Sequence, residues 1–313
     1  LAGIETTEPE QVMSKLKYHL IISPIKAAGI LSLGLAQRLG KWGGKLAWIL
    51  GTDARKVTET NIRLCFPGLS EEKQLELARA SLMHTGMAVM EIPLMWEWPV
   101  EKCLEQVRET KGTELVNQAL AAGNGLILLA PHLGNWELAG LYFSTYHDMA
   151  ALYSPPQIPD FEDYMVKVRG RLGSELVRGD RKGLSRLMGI LREGGIVGIL
   201  PDQSPRGKTN AYAPFFGIEV RTMTLPAKLL QKTGAAVLVT YAERLPDHRG
   251  FRIVVTEAEQ DMADKDPTTA ATALNQSVEN VVRRIPEQYQ WEYKRFRHQP
   301  GGRPNPYKHS GKN

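Results

Sequence analysis

The chain has 313 residues, 42% of them hydrophobic, with a formal charge of +5 and two cysteines. That is enough apolar material for a sizeable core in one large or two small domains. Cys65 and Cys103 sit in no CxxC or Cys/His spacing, which excludes a zinc ribbon or a disulfide framework, while the modest basic excess leaves membranes, nucleic acids and acidic proteins open as partners.

No signal peptide is evident, and the polar, acidic residues 1–11 are expected to be unstructured. The apolar run 20–36 (LIISPIKAAGILSLGLA) contains Pro24 and Lys26 and is shorter than the roughly 20 apolar residues that a spanning helix needs. It reads as an anchor helix that enters or lies in a membrane interface, flanked by Arg38, Lys41, Trp42, Lys45 and Trp48. An ordinary buried helix is the alternative. Residues 10–50 read as helical with a break near Gly40–Gly44. The chain divides into a tail and anchor (1–50), an α/β domain (51–300) and a loose basic tail (301–313).

Asp53 is expected to cap a helix that runs to Cys65 and is ended by Pro67–Gly68. Ser70-Glu71-Glu72-Lys73 opens another helix reaching about Glu91, with Pro93 as a kink or stop. Elements then alternate. Residues 125–130 (GLILLA), 149–153, 195–200, 235–241 and 251–256 read as strands, and 135–146, 160–172, 182–193, 222–233 and 267–285 as helices, with a loop between 200 and 222. The fold class is therefore α/β, a mostly parallel or mixed central sheet flanked by helices.

His132 falls just past the strand 125–130, and Glu137 at the start of the next helix. Five residues along one helix rotate by about 500°, so the two side chains meet only across a turn, which Gly134 and Asn135 supply. A neutral histidine takes a proton from an alcohol, and a carboxylate on its other nitrogen fixes the tautomer. No GxSxG is present, so the pair suits direct attack by a substrate hydroxyl on an activated acyl group, without an acyl-enzyme. A bare His-x4-Glu is equally a strand-end histidine beside a helix-start acid.

Five segments in order, His132-Leu-Gly-Asn-Trp-Glu137, Tyr153-Ser-Pro-Pro156, Arg169-Gly-Arg171, Pro201-Asp202-Gln203 and Pro214-Phe-Phe-Gly217, resemble the late (secondary) acyltransferases of bacterial lipid A assembly. The ending Gln288-Tyr-Gln-Trp-Glu-Tyr-Lys-Arg-Phe-Arg297 is similar too, so the resemblance covers about residues 15–300. It implies a glycerolipid-acyltransferase-like fold of the His-x4-Asp/Glu superfamily. Glu137, where glycerol-phosphate acyltransferases usually have Asp, and Pro201-Asp202-Gln203, in place of their Glu-Gly-Thr block, point to the lipid A branch.

The resemblance further implies an enzyme on the cytoplasmic face of the inner membrane, among its lipids. It implies acyl carrier protein as donor, a lipid A precursor as acceptor, and neither metal nor organic cofactor. Carried over residue by residue, it makes His132 the base, Glu137 its partner, and Arg169 the group that stabilises an oxyanion or binds phosphate. Asn135, Trp136, Arg171, Asp202 and Gln203 become substrate-binding candidates.

Two basic stretches accompany the motifs. Residues 167–192 carry eight Lys or Arg against Glu175 and Asp180, which suits an acidic carrier protein or lipid phosphate. Residues 283–297 interleave Arg283, Arg284, Lys294, Arg295 and Arg297 with Trp291, Tyr293 and Phe296, a mixture read as a membrane interface, since no nucleic-acid motif accompanies it. Rival readings are another acyltransferase of the superfamily, a metal hydrolase and a non-catalytic lipid-binding protein. The metal hydrolase lacks HExxH spacing, and Gly40–Lys45 is one residue short of a phosphate-binding loop.

Overall fold

A computed structural model describes residues 8–156, 158–205 and 210–308. Four helices open the chain: α1 (Glu8–Ala28), α2 (Leu33–Ile49), α3 (Asp53–Cys65) and α4 (Glu71–Glu97). Hydroxyl caps start three of them. Ser32 accepts from Leu35 N, Thr52 from Arg55 N and Ser70 from Lys73 N, each satisfying an N–H that a first helical turn leaves unpaired. The α3 cap is thus Thr52, and Asp53 is instead a first-turn acid. Pro93 does not stop α4; burial of Leu94 and Met95 just beyond it carries the helix on to Glu97.

The N-terminal expectation needs three corrections. Residues 8–11 belong to α1, and 1–7 lie outside the described residues. The apolar run 20–36 is not one helix: the chain turns at 29–32, where Trp98 Nε1 donates to Gly29 O at 2.9 Å. The expected break at Gly40–Gly44 is continuous helix. These glycines meet α4 backbone to backbone, so a Cβ on Gly40 would stand 2.3 Å from Gly86 O, and one on Gly44 2.2 Å from Leu82 O. Small residues four apart permit that approach, and the packing it allows outweighs a helix cost of about 1 kcal/mol per glycine. Among the described residues, no helix is long and apolar enough to cross a membrane.

The α/β part follows with α5 (Val100–Leu104), β1 (Val107–Lys111), α6 (Glu114–Ala121), β2 (Leu126–Leu129), α7 (Trp136–Tyr146), β3 (Met149–Tyr153), α8 (Pro159–Arg169), β4 (Glu175–Arg178), α9 (Arg181–Arg192) and β5 (Ile196–Ile199). It ends with β6 (Asn210–Phe215), β7 (Ile218–Met223), α10 (Leu225–Thr233), β8 (Ala236–Arg244), β9 (Phe251–Glu257) and α11 (Pro267–Val282). Seven strands form one mixed sheet in the order β1-β9-β8-β2-β5-β3-β4, in which β8 and β9 pair antiparallel and the other neighbours parallel. Every residue of β2 and β5 is buried, because helices cover both faces. Ile127, Leu129, Val197 and Ile199 pack into one core layer, with Ile62 of α3 and Leu274 of α11. Leu126, Leu128 and Ile196 face the other, with Leu94 of α4 and Leu138 of α7.

Strands β1 and β4 are absent from the sequence reading. Their sequences, VRETK and ELVR, are polar because they lie at the two edges of the sheet. The expected helix 222–233 starts only at Leu225, since Thr222 and Met223 end the β6–β7 hairpin. Phe216 (φ 52°) and Gly217 (φ 76°) turn that hairpin with two positive φ values, the geometry favoured between twisted strands. The C-terminal tail is tied back to α3, where Tyr307 donates its hydroxyl to Asn61 Oδ1.

Candidate active site

Parallel neighbours β2 and β5 end side by side, so Pro131-His132 and Pro201-Asp202 emerge together at the carboxyl edge of the sheet. The His132 loop is clamped on two sides. Gly134 N donates to Gln288 O at 3.0 Å, Gln290 N to His132 O at 3.1 Å, and Asn135 N to Ala242 O at 2.9 Å. Gly134 has φ +63°, and a Cβ there would stand 2.0 Å from Ala242 O, so only glycine passes.

Asp202 holds the imidazole. Its Oδ2 accepts from His132 N at 3.0 Å, and its Oδ1 lies 2.9 Å from His132 Nδ1. Burial alone would raise the Asp202 carboxyl, but the His132 ring and its hydrogen bonds hold it below the ordinary value. A carboxylate only accepts, so the proton sits on Nδ1 and the neutral ring carries its lone pair on Nε2. That nitrogen meets the Gln203 amide at 3.3 Å. Burial, then the nearby Asp202 charge, pushes the Tyr289 hydroxyl well above its ordinary value.

Glu137 stands elsewhere. The second ring nitrogen was its expected position, yet among the described residues no hydrogen bond joins it to His132. Asn135 caps α7 by accepting from Leu138 N at 2.9 Å, which makes Trp136 and Glu137 the first two helical residues. The Trp136 ring lies 4.9 Å from the His132 ring, centroid to centroid. One step further round the helix, Glu137 meets Arg169 of α8 in a two-point ion pair, Nε to Oε2 at 3.0 Å and Nη2 to Oε1. Trp96 Nε1 adds a donor at 3.0 Å. Burial pushes the Glu137 carboxyl up, but the Arg169 charge and these donors bring it below the ordinary value, so it remains an anion.

Arg171 serves the fold. It donates to the carbonyls of Met95, Trp96 and Trp98, at 2.6 to 3.1 Å, where α4 ends with its last carbonyls unpaired. Its Nη1 and Nη2 are thus engaged with the end of α4.

A family model described as "Bacterial lipid A biosynthesis acyltransferase" matches residues 9–298. The chain belongs to this acyltransferase family. It is 29% identical over 271 residues to the lipid A biosynthesis lauroyltransferase of Escherichia coli (strain K12), covering 86% of this chain and 88% of that one. It is 30% identical over 252 residues to the lipid A biosynthesis palmitoleoyltransferase of the same strain, covering 80% and 81%. The myristoyltransferase of that strain is 26% identical over 275 residues, covering 87% and 82%.

Within this acyltransferase, the two basic stretches have different fates. In 167–192, Arg169, Arg178 and Arg186 are taken up by Glu137, Glu162 and Glu175, whereas Arg181, Lys182 and Arg192 stay exposed. In 283–297 two of the interleaved aromatics turn inward. Trp291, Phe296 and Arg295 are buried, with Arg295 donating to Arg221 O at 2.6 Å and to Thr222 and Asn275, while Arg283, Arg284 and Arg297 stay exposed. Sequence reasoning also missed two site residues. Tyr289 lay inside the quoted ending without a role, and nothing in the sequence singles out Trp96, whose indole reaches Glu137 from the end of a distant helix.

Proposed function

We propose that this acyltransferase moves a fatty acyl group from the thioester of an acyl carrier protein to a hydroxyl of a lipid A precursor, at the cytoplasmic face of the bacterial inner membrane. The observation that carries the chemistry is the orientation of His132, with Asp202 on Nδ1 and Nε2 turned toward Gln203. His132 Nε2 takes the proton from the acceptor hydroxyl as its oxygen attacks the thioester carbonyl. The C–S bond breaks on collapse of the tetrahedral oxyanion, and the departing thiolate recovers the proton from the imidazolium. Asp202 stabilises that imidazolium and holds the tautomer.

Arg169 is the proposed oxyanion or phosphate donor. Glu137 aims its planar guanidinium, and the N–H groups not spent on Glu137 and Met165 Sδ serve the ligand. Trp136 and Gln203 flank the His132 ring, and Asn135 holds the loop that carries it. The exposed Arg181, Lys182 and Arg192 suit the acidic surface of a carrier protein. The names of the relatives, each a lipid A acyltransferase, support the acceptor. The apolar N-terminal helices support the membrane location.

The test is acyl transfer from acyl carrier protein thioester to purified lipid A precursor in detergent, followed by mass spectrometry of the lipid. One added acyl mass, lost in His132→Ala, is the expected result. Transfer only to a phospholipid acceptor would overturn the assignment to lipid A.

A further inference from the structure

Helix α2 has three sides. One is buried against α4 through Ala36, Gly40 and Gly44. A second is apolar and open: Leu35, Leu39, Trp42, Leu46, Ile49 and Leu50 are between 45% and 68% exposed. At 100° per residue these six positions fall within an arc of about 100°, so they form a continuous stripe. A third side is basic. Arg38 and Lys45 border one edge of the stripe with Lys41 behind them, and α2 contains no acidic residue. Lys45 Nζ lies 5.1 Å from the centroid of the Trp42 ring, which brings the charge back onto the apolar edge.

Soluble surfaces rarely expose a run of large apolar side chains of this length, and one bordered by positive charge alone fits an anionic bilayer. We infer that α2 is the membrane-docking element, lying flat with its Leu/Trp/Ile stripe among acyl chains and Arg38, Lys41 and Lys45 at anionic headgroups. This deepens the membrane location proposed above and rests on it. It differs from an anchor at 20–36 in placing the contact on the outer face of a packed helix.

The docked helix is tied to the catalytic loop. Gln37, on its buried side, donates to Glu91 Oε1 at 2.7 Å, and Asn135 Nδ2 donates to Glu91 Oε2 at 3.2 Å. Asn135 is the cap of α7 and neighbours Trp136 and Glu137. A bilayer that fixes α2 therefore fixes the height of the His132 loop above the headgroups.

The experiment uses the full chain and two sets of vesicles, phosphatidylcholine alone and phosphatidylcholine with phosphatidylglycerol, scored by flotation. Two variants are compared, Leu39→Glu/Leu46→Glu and Arg38→Glu/Lys45→Glu. Transfer to detergent-dispersed acceptor is measured for each as a control of folding and of the acyltransfer reading itself. The apolar variant should lose about tenfold or more of its binding to both vesicles, and the charge variant should lose mainly its preference for phosphatidylglycerol. Both should keep wild-type transfer in detergent. Wild-type flotation of the apolar variant would overturn the assignment to α2 without touching the reaction. So would a light-scattering dimer of the wild type that the apolar variant dissolves, because a second copy would then cover the stripe. Should the apolar variant be misfolded, a fluorophore on Leu39→Cys gives the same answer: a blue shift with phosphatidylglycerol vesicles supports docking, and an unchanged spectrum refutes it.

Discussion

Two buried carboxylates, Glu91 and Asp202, hold the His132 loop, and their partners differ in what is left over. Glu91 and Arg244 are almost wholly hidden, and the Glu91 carboxylate accepts from Arg244 Nε and Nη2, both at 2.6 Å, from Gln37 and from Asn135. Every strong acceptor site is used. Asp202 accepts from His132 N and lies 2.9 Å from His132 Nδ1, yet that histidine keeps Nε2 in a looser 3.3 Å contact with a side-chain amide. The closed pair joins α2, α4, α7 and β8 into one body. The open pair has a basic nitrogen to offer a substrate. Burial of charge alone thus does not mark a catalytic group; a basic nitrogen held only by a loose amide contact does.

The comparison is broken most severely at the open pair. His132→Ala should lower transfer by about 100- to 10,000-fold at unchanged unfolding midpoint, the range for a positioned general base. Asp202→Asn should approach the same loss by allowing the wrong tautomer, whereas Gln203→Ala should cost far less. Steady-state rates on dispersed acceptor, with denaturation curves alongside, check both. If Asp202→Asn retained full rate while Glu137→Gln lost it, the roles of the two carboxylates would have to be exchanged.

At the closed pair the readout reverses. Arg244→Met leaves the Glu91 charge buried and unpaired and should cost about 3–5 kcal/mol of stability, measured by urea unfolding. The double change Arg244→Met/Glu91→Leu should recover much of that loss, since an apolar pair has no charge to desolvate.

Glu292 sharpens the comparison as a half-buried acid with no salt bridge among the described residues. Its Oε1 accepts from Thr85 at 2.8 Å, Oε2 has no hydrogen-bond partner among the described residues, and burial raises the carboxyl to about 7. A raised acid binds its proton more tightly in the folded chain. Its contribution is therefore complete below the unfolded value near 4.5 and is lost as pH rises through about 7. Glu292→Gln should leave stability at pH 4.5 almost unchanged and raise it at pH 8, by an amount on the order of 3 kcal/mol. Thermal melts of both proteins across that range test it. Smallest of all, Arg186→Ala should leave the melting temperature where it is, because the Arg186–Glu175 pair is 49% and 44% exposed and water already screens it.

Much of the architecture was legible in the chain. Runs such as Leu126–Leu129 and Ile196–Ile199 announce buried parallel strands because apolar side chains must cover both faces, and Ser70 or Pro67–Gly68 punctuate helices by local hydrogen bonding and φ restriction. The edge strands β1 and β4 were invisible because water takes the place of a neighbour on one side, so no apolar pattern is imposed.

The sequence by itself determined that His132 stands at a strand end with glycine and a capping asparagine behind it, because those residues act on their immediate neighbours. Which carboxylate reaches the imidazole was decided only by tertiary structure. Glu137 is five residues away but is carried round by α7 to Arg169, while Asp202, seventy residues on, arrives because β5 lies parallel beside β2. Tertiary packing likewise turned Gly40 and Gly44 from an expected break into a helix crossing, and moved Trp291 and Phe296 from an expected interface into the core. A glycine or an aromatic carries no local instruction about its partner; only the surface that folding brings against it supplies one.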